Sequence, residues 1–130
     1  MKTILVIMIA AISSMAMAEE PRKQLYTGQL GQAPVQVMFD YLKNRIADEY
    51  GIGEYRELVI KQRAAGPENF KKVSIEAQMQ GLLDDSIKTQ RFQLGMSFNE
   101  ETSVWLIDTV KQDWQCRRGA SKGWTQKPCK

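Results

Sequence analysis

The stretch Lys72-Val73-Ser74-Ile75-Glu76-Ala77-Gln78-Met79-Gln80 decides the fold. Val73, Ile75, Ala77 and Met79 alternate with Lys72, Ser74, Glu76, Gln78 and Gln80. Successive side chains of an extended strand point to opposite faces, so this period of two predicts a strand with one buried and one wet face. Before it, residues 55–64 hold Leu58-Val59-Ile60 and lead into Ala65-Gly66-Pro67-Glu68-Asn69, a turn signal between two strands. After it, residues 81–86, with Asp84-Asp85, turn the chain into a third strand. There Phe92, Leu94, Met96 and Phe98 alternate with Arg91, Gln93, Gly95 and Ser97. Asn99-Glu100-Glu101 turns it again.

The fourth strand, residues 103–116, opens on Val104-Trp105-Leu106-Ile107, apolar on both faces, and continues with Val110, Trp114 and Cys116 on one parity. An apolar run of this kind predicts a strand covered on both sides, by a helix on one and another element, with the C-terminal loop as a candidate, on the other. The helix lies upstream. From Pro34, the residues Val35, Met38, Phe39, Leu42, Ile46 and Tyr50 recur at helical spacing, opposite Gln36, Asp40, Lys43, Asn44 and Asp48. Pro34 suits its first turn, and Gly51 with Gly53 suits its end. Residues 19–33 form a polar leader that either docks as an edge strand or stays loose.

One helix followed by four strands joined by short turns predicts an α+β domain, an antiparallel meander with the helix packed across one face. This architecture resembles the cystatin-like and NTF2-like rolls, and the closing Val104-Trp105-Leu106-Ile107 with a later Trp is similar to the last strand of such domains.

Residues 1–18 carry Lys2, an apolar run from Ile4 to Ile12 and the small-residue site Ala16-Met17-Ala18, the layout of a signal peptide cleaved after Ala18. The run is shorter than the roughly 20 residues that span a bilayer, and no later stretch is apolar enough to cross, so a soluble periplasmic or secreted protein is expected. Residues 34–130 are then one domain. After cleavage 17 basic and 15 acidic residues remain, too mild an excess to indicate nucleic acid. Residues 111–130 hold Lys111, Arg117, Arg118, Lys122, Lys127 and Lys130 against Asp113 alone, so this tail is +5 and the rest of the mature chain −3.

Cys116 and Cys129 are the only cysteines, and export favours their oxidation to a disulfide. Closing a loop of 12 intervening residues stabilises the fold by on the order of 3 kcal/mol through lost chain entropy. There is no histidine, which excludes Ser-His and Cys-His nucleophiles, and two thiolates do not complete a zinc shell; no metal or cofactor is expected. Asp84-Asp85 and Glu100-Glu101 fall in turns, where carboxylates cap and solvate. Asp108 shares the parity of Leu106 and Val110, so it is expected to point inward, either as a general base with a raised pKa or, favoured, as the partner of an arginine such as Arg91. Arg117, Arg118, Lys122 and Lys127 surround Trp124 in the disulfide loop, with Trp114 just outside it. Such a loop is either a binding surface for an anionic or protein partner or a plug for the open end of the roll.

Trp114-Gln115-Cys116, followed after twelve residues by Cys129 within Lys127-Pro128-Cys129-Lys130, resembles the C-terminal disulfide loop of type IV pilins. In that family too a helix precedes a four-stranded antiparallel sheet, and the resemblance gives Cys116 and Cys129 the places of the two loop cysteines. The prepilin start is absent, because polar residues and not a long apolar helix follow residue 18. The resemblance therefore implies a soluble pilus- or secretion-associated protein. Together these readings point to a non-enzymatic exported binding protein of the cell envelope, an accessory or an inhibitor, with a small carboxylate enzyme built on Asp108 as the alternative.

Overall fold

The computed structural model describes residues 24–119 and 123–130; the expected signal peptide, most of the leader's first half and Lys122 lie outside the described residues. The elements run β1 (Tyr26–Thr27), α1 (Pro34–Ile46), β2 (Glu57–Gly66), β3 (Asn69–Gln80), β4 (Ile87–Asn99) and β5 (Val104–Cys116). They form one antiparallel sheet in the order β1-β5-β4-β3-β2. The α+β meander is as expected, with one correction: the sheet has five strands. Part of the leader docks as an edge strand, Tyr26 opposite Ile107 and Thr27 opposite Leu106. Gly28 permits the chain's close turn from there toward the helix, since a Cβ on it would lie 2.5 Å from Val37 Cγ2.

The alternation in β3 fixes the two faces of the sheet. Val73 sits opposite Met96, Ile75 opposite Leu94 and Ala77 opposite Phe92, so the buried parity of β3 meets that of β4. α1 lies across this face, and Val37, Met38, Leu42 and Ile46 join those residues and Ile107 in one core. Phe92, Met38, Leu42, Ile75, Met79, Leu94, Met96, Ile107 and Val37 are each almost completely buried, so the side of the sheet under the helix is filled. Truncating any of the larger ones to alanine costs about 2–5 kcal/mol, transfer and cavity terms together.

Helix α1 begins where Pro34 occupies the first turn and the Gln36 side chain accepts a 2.7 Å bond from Ala33 N–H. It ends at Ile46, one turn short of the expected end. Ala47 takes an extended conformation, and Asp48 Oδ1 accepts from the N–H groups of Tyr50 and Ile52, both at 2.9 Å. A carboxylate that satisfies two backbone donors outside the helix competes with its continuation. Tyr50, expected on the buried helix face, is consequently exposed, and Phe39 is partly exposed.

Candidate functional site

The expectation for Asp108 is corrected. Gly95 pairs with Thr109 and Met96 with Ile107, so Asp108 is the extra residue of a β-bulge in β5. The bulge shifts the parity between Leu106 and Val110. Asp108 is exposed and lines, with Lys72 and Ser97, a depression of about 520 Å3 on the face away from the helix. It does not reach the interior, and Arg91 does not pair with it.

The buried carboxylate of the strand is Asp113, 3% exposed. Asp113 is paired across the strands with Arg91. Arg91 Nε donates to Asp113 Oδ1 at 2.9 Å and Nη2 to Oδ2 at 2.6 Å, a two-pronged charge-assisted pair, and Nη1 donates to Glu76 Oε1 at 3.2 Å. Asp113 and Glu76 raise the Arg91 pKa above its ordinary value, the Asp113 hydrogen bond most of all.

Trp124 covers this group. The disulfide between Cys116 and Cys129 closes the C-terminal loop, with the two Cα atoms 5.4 Å apart. Within the loop Thr125 forms a two-bond antiparallel bridge with Trp114 in β5. Thr125 continues the sheet beside Trp114, so its chain neighbour Trp124 turns to the outer face, and its ring lies over the Arg91 guanidinium at 3.9 Å. The other loop residues divide by role. Trp114 Nε1 donates to Lys127 O at 2.9 Å. Arg117 Nε donates to Asp84 O at 2.8 Å and its Nη2 donates to Leu82 O, so Arg117 clasps the turn between β3 and β4. Arg118, Lys127 and Lys130 border a shallow depression of about 320 Å3 beside the disulfide. The loop thus covers the outer face beside β5, while Arg118, Lys127 and Lys130 stay at the surface.

Beyond the Trp124 cover, the outer face holds a group that no motif announces. Lys61 of β2, Glu76 of β3, Gln93 of β4 and Lys111 of β5 form one row across the sheet. With Arg63 at the end of the next row they border a depression of about 500 Å3 whose floor is the rest of that row, Ser74, Gly95 and Thr109. The small floor is a packing necessity, since a Cβ on Gly95 would lie 2.5 Å from Thr109 Oγ1, which accepts the Gly95 N–H at 3.2 Å. Glu76 is taken up by Arg91, and Lys61, Arg63 and Lys111 form no ion pair among the described residues. Counting Lys61, Arg63, Arg91 and Lys111 against Glu76 and Asp113, this part of the face is +2.

No family model, no curated protein and no solved structure matches the chain. Among the described residues no group of His, Cys, Asp and Glu is placed to hold a metal ion, and no helix is long and apolar enough to cross a membrane. Of the acidic turns, the first is capped by Asp84, whose Oδ1 accepts from Ser86 and Ile87 N–H at 2.7 and 2.9 Å. In the second Glu100 pairs with Lys71, and the cap is Asn99, whose Oδ1 accepts from Glu101 and Thr102 N–H at 2.9 and 3.2 Å. The outer-face cations escaped detection because Lys61, Arg63 and Lys111 are far apart in sequence. Their shared parity with Glu76 and Asp113 was the available signal, and only the strand register brings them together.

Proposed function

We propose that the chain is a non-catalytic, exported binding protein whose outer sheet face takes an anionic group presented by a protein or another component of the cell envelope. The observation that carries this reading is the placing of Lys61 and Arg63 on β2 and Lys111 on β5 at the border of a depression floored by Ser74, Gly95 and Thr109. Three cations without acidic partners among the described residues, set around hydroxyls and a backbone that sits low in the sheet, offer both charge and hydrogen bonds to an anion. The packed space beneath α1 and the exposed position of Asp108 support binding over carboxylate catalysis in a roll. The disulfide supports an oxidising compartment, and with it the signal-peptide reading of residues 1–18. The pilin-like closure of residues 114–130 supports a pilus or secretion accessory as the role; an inhibitor of an envelope enzyme is the other member of the same class.

Retention of the mature protein on immobilised heparin, a sulfated polyanion, tests the site. Lys61→Glu with Lys111→Glu is expected to lower the eluting salt concentration well below that of the wild type. If that variant elutes as the wild type does while reversal of Arg118, Lys127 and Lys130 abolishes retention, the anion belongs to the C-terminal tail and the outer-face assignment fails.

A further inference from the structure

The end of the molecule where α1 stops carries a second, opposite kind of surface. A groove of about 590 Å3 opens between the last turn of α1, the segment leading into β2 and the turn between β3 and β4. Its floor is buried Ile46 and Met79, and two of its walls are Ile52 and Leu83, which are 62% and 76% exposed. Tyr50, 80% exposed, stands in the same turn as Ile52.

These side chains are not outward because their backbone is slack. Asp48 N–H donates to Ile52 O at 2.8 Å, and Asp48 Oδ1 takes the N–H groups of Tyr50 and Ile52 in return. Leu83 N–H reaches Glu54 O at 3.3 Å, so the two turns brace each other, and Arg117 clasps the second from the disulfide loop. Large aliphatic side chains held in water by a hydrogen-bonded scaffold mark an interaction surface.

The charge around the groove selects the partner. Asp48, Glu54 and Asp84 line it with the cation Arg45, whose guanidinium is drawn over the Phe92 ring at 5.9 Å. Arg117, held on the backbone of Leu82 and Asp84, offsets the charge of Asp84 and leaves Glu54 and Asp48 as the acidic side of the rim. Glu49 and Asp85 follow in the same two turns. Glu54 and Asp85 form no ion pair among the described residues. An anionic membrane is repelled by such a rim, and a basic segment is attracted.

We propose that this groove docks a basic amphipathic segment of a partner protein, its apolar side chains against Ile52 and Leu83 and its lysines or arginines against Glu54 and Asp85. The site is separate from the cationic outer face and does not rest on it.

Fluorescence polarisation with a labelled amphipathic helical peptide built only of leucine and lysine tests the proposal, with a leucine and glutamate peptide beside it. The mature protein is expected to bind the lysine peptide saturably and not the glutamate peptide. Ile52→Ser with Leu83→Ser, both at exposed positions and so compatible with folding, is expected to weaken binding about tenfold or more, as loss of central apolar anchors does. Glu54→Gln is expected to weaken it less and to flatten its salt dependence. Phe70→Ser, at an exposed apolar position at the start of β3, is expected to leave the affinity unchanged. Four results overturn the assignment: equal binding of both peptides, undiminished binding by the double variant, a dimer in sedimentation that Leu83→Ser dissolves, or partition onto phosphatidylcholine vesicles that the double variant abolishes.

Discussion

The Arg91 guanidinium lies 3.9 Å beneath the Trp124 ring while two of its nitrogens hold the Asp113 carboxylate at 2.9 and 2.6 Å. A residue of the last loop is thereby seated on a charge pair spanning β4 and β5. The pair lies on a sheet face that is otherwise polar and open, and the ring removes much of its water, which strengthens the attraction and raises the penalty for losing either partner.

Removing one partner is therefore expected to be costly. Arg91→Met leaves Asp113 buried without its counter-charge and is expected to destabilise the protein by about 3–5 kcal/mol in urea unfolding. Arg91→Met combined with Asp113→Leu is expected to recover most of that loss, because two apolar groups of similar size need no compensation. A double variant as unstable as the single one would mean that the pair, and not its imbalance, holds the strands.

The disulfide is expected to act through the same ring. Replacing Cys116 and Cys129 by serine removes a constraint between residues 13 apart in sequence, and is expected to cost on the order of 3 kcal/mol. Loss of the Trp124 seat on Arg91 should accompany it, seen as a red shift of tryptophan emission that a Trp124→Phe background abolishes. If emission stays unshifted, the bridge between Trp114 and Thr125 holds the loop without the covalent link.

How far the sequence disclosed this arrangement depends on the range over which each feature is encoded. The strict alternation of Val73, Ile75, Ala77 and Met79 is local, and it correctly gave β3 and the side of the sheet that meets the helix. Asp108 was misread because a bulge depends on the partner strand: opposite Gly95, two residues of β5 stand where one would serve. The helix was read one turn too long because spacing favours Tyr50 and says nothing of the Asp48 carboxylate that captures the next N–H groups. β1 is two residues long, below what any periodicity resolves. The expected pairing of Arg91 with Asp108 is not made: Arg91 takes Asp113, which is buried on the outer face beneath Trp124 and not inside the roll.

Acid is expected to loosen the turn between β3 and β4. Hydrogen bonds from Ile87 and Ser86 N–H, helped by Arg117, lower the Asp84 pKa from its ordinary value of 3.8. A carboxylate whose pKa is depressed by folding stabilises the native state above its unfolded value and loses that contribution as pH falls through the folded one. Asp84→Ala should therefore melt below the wild type near neutral pH, and the two melting curves should converge as pH falls below the ordinary carboxylate range. A gap independent of pH would assign the effect to backbone geometry in place of charge.

Gly95 offers the sharpest test of the bulge. A methyl group there meets Thr109 Oγ1 at 2.5 Å, whereas Thr109 Cβ is 3.8 Å away, an ordinary contact. Gly95→Ala is expected to destabilise by about 1–3 kcal/mol through overpacking. Thr109→Ala removes the colliding oxygen, and with it the acceptor of the Gly95 N–H. In a double-mutant cycle Thr109→Ala should therefore cost less in the Gly95→Ala background than alone, because the clash it relieves exists only there. Strict additivity would show that β5 shifts to accept the methyl group, and that the low row of Ser74, Gly95 and Thr109 is not set by Gly95.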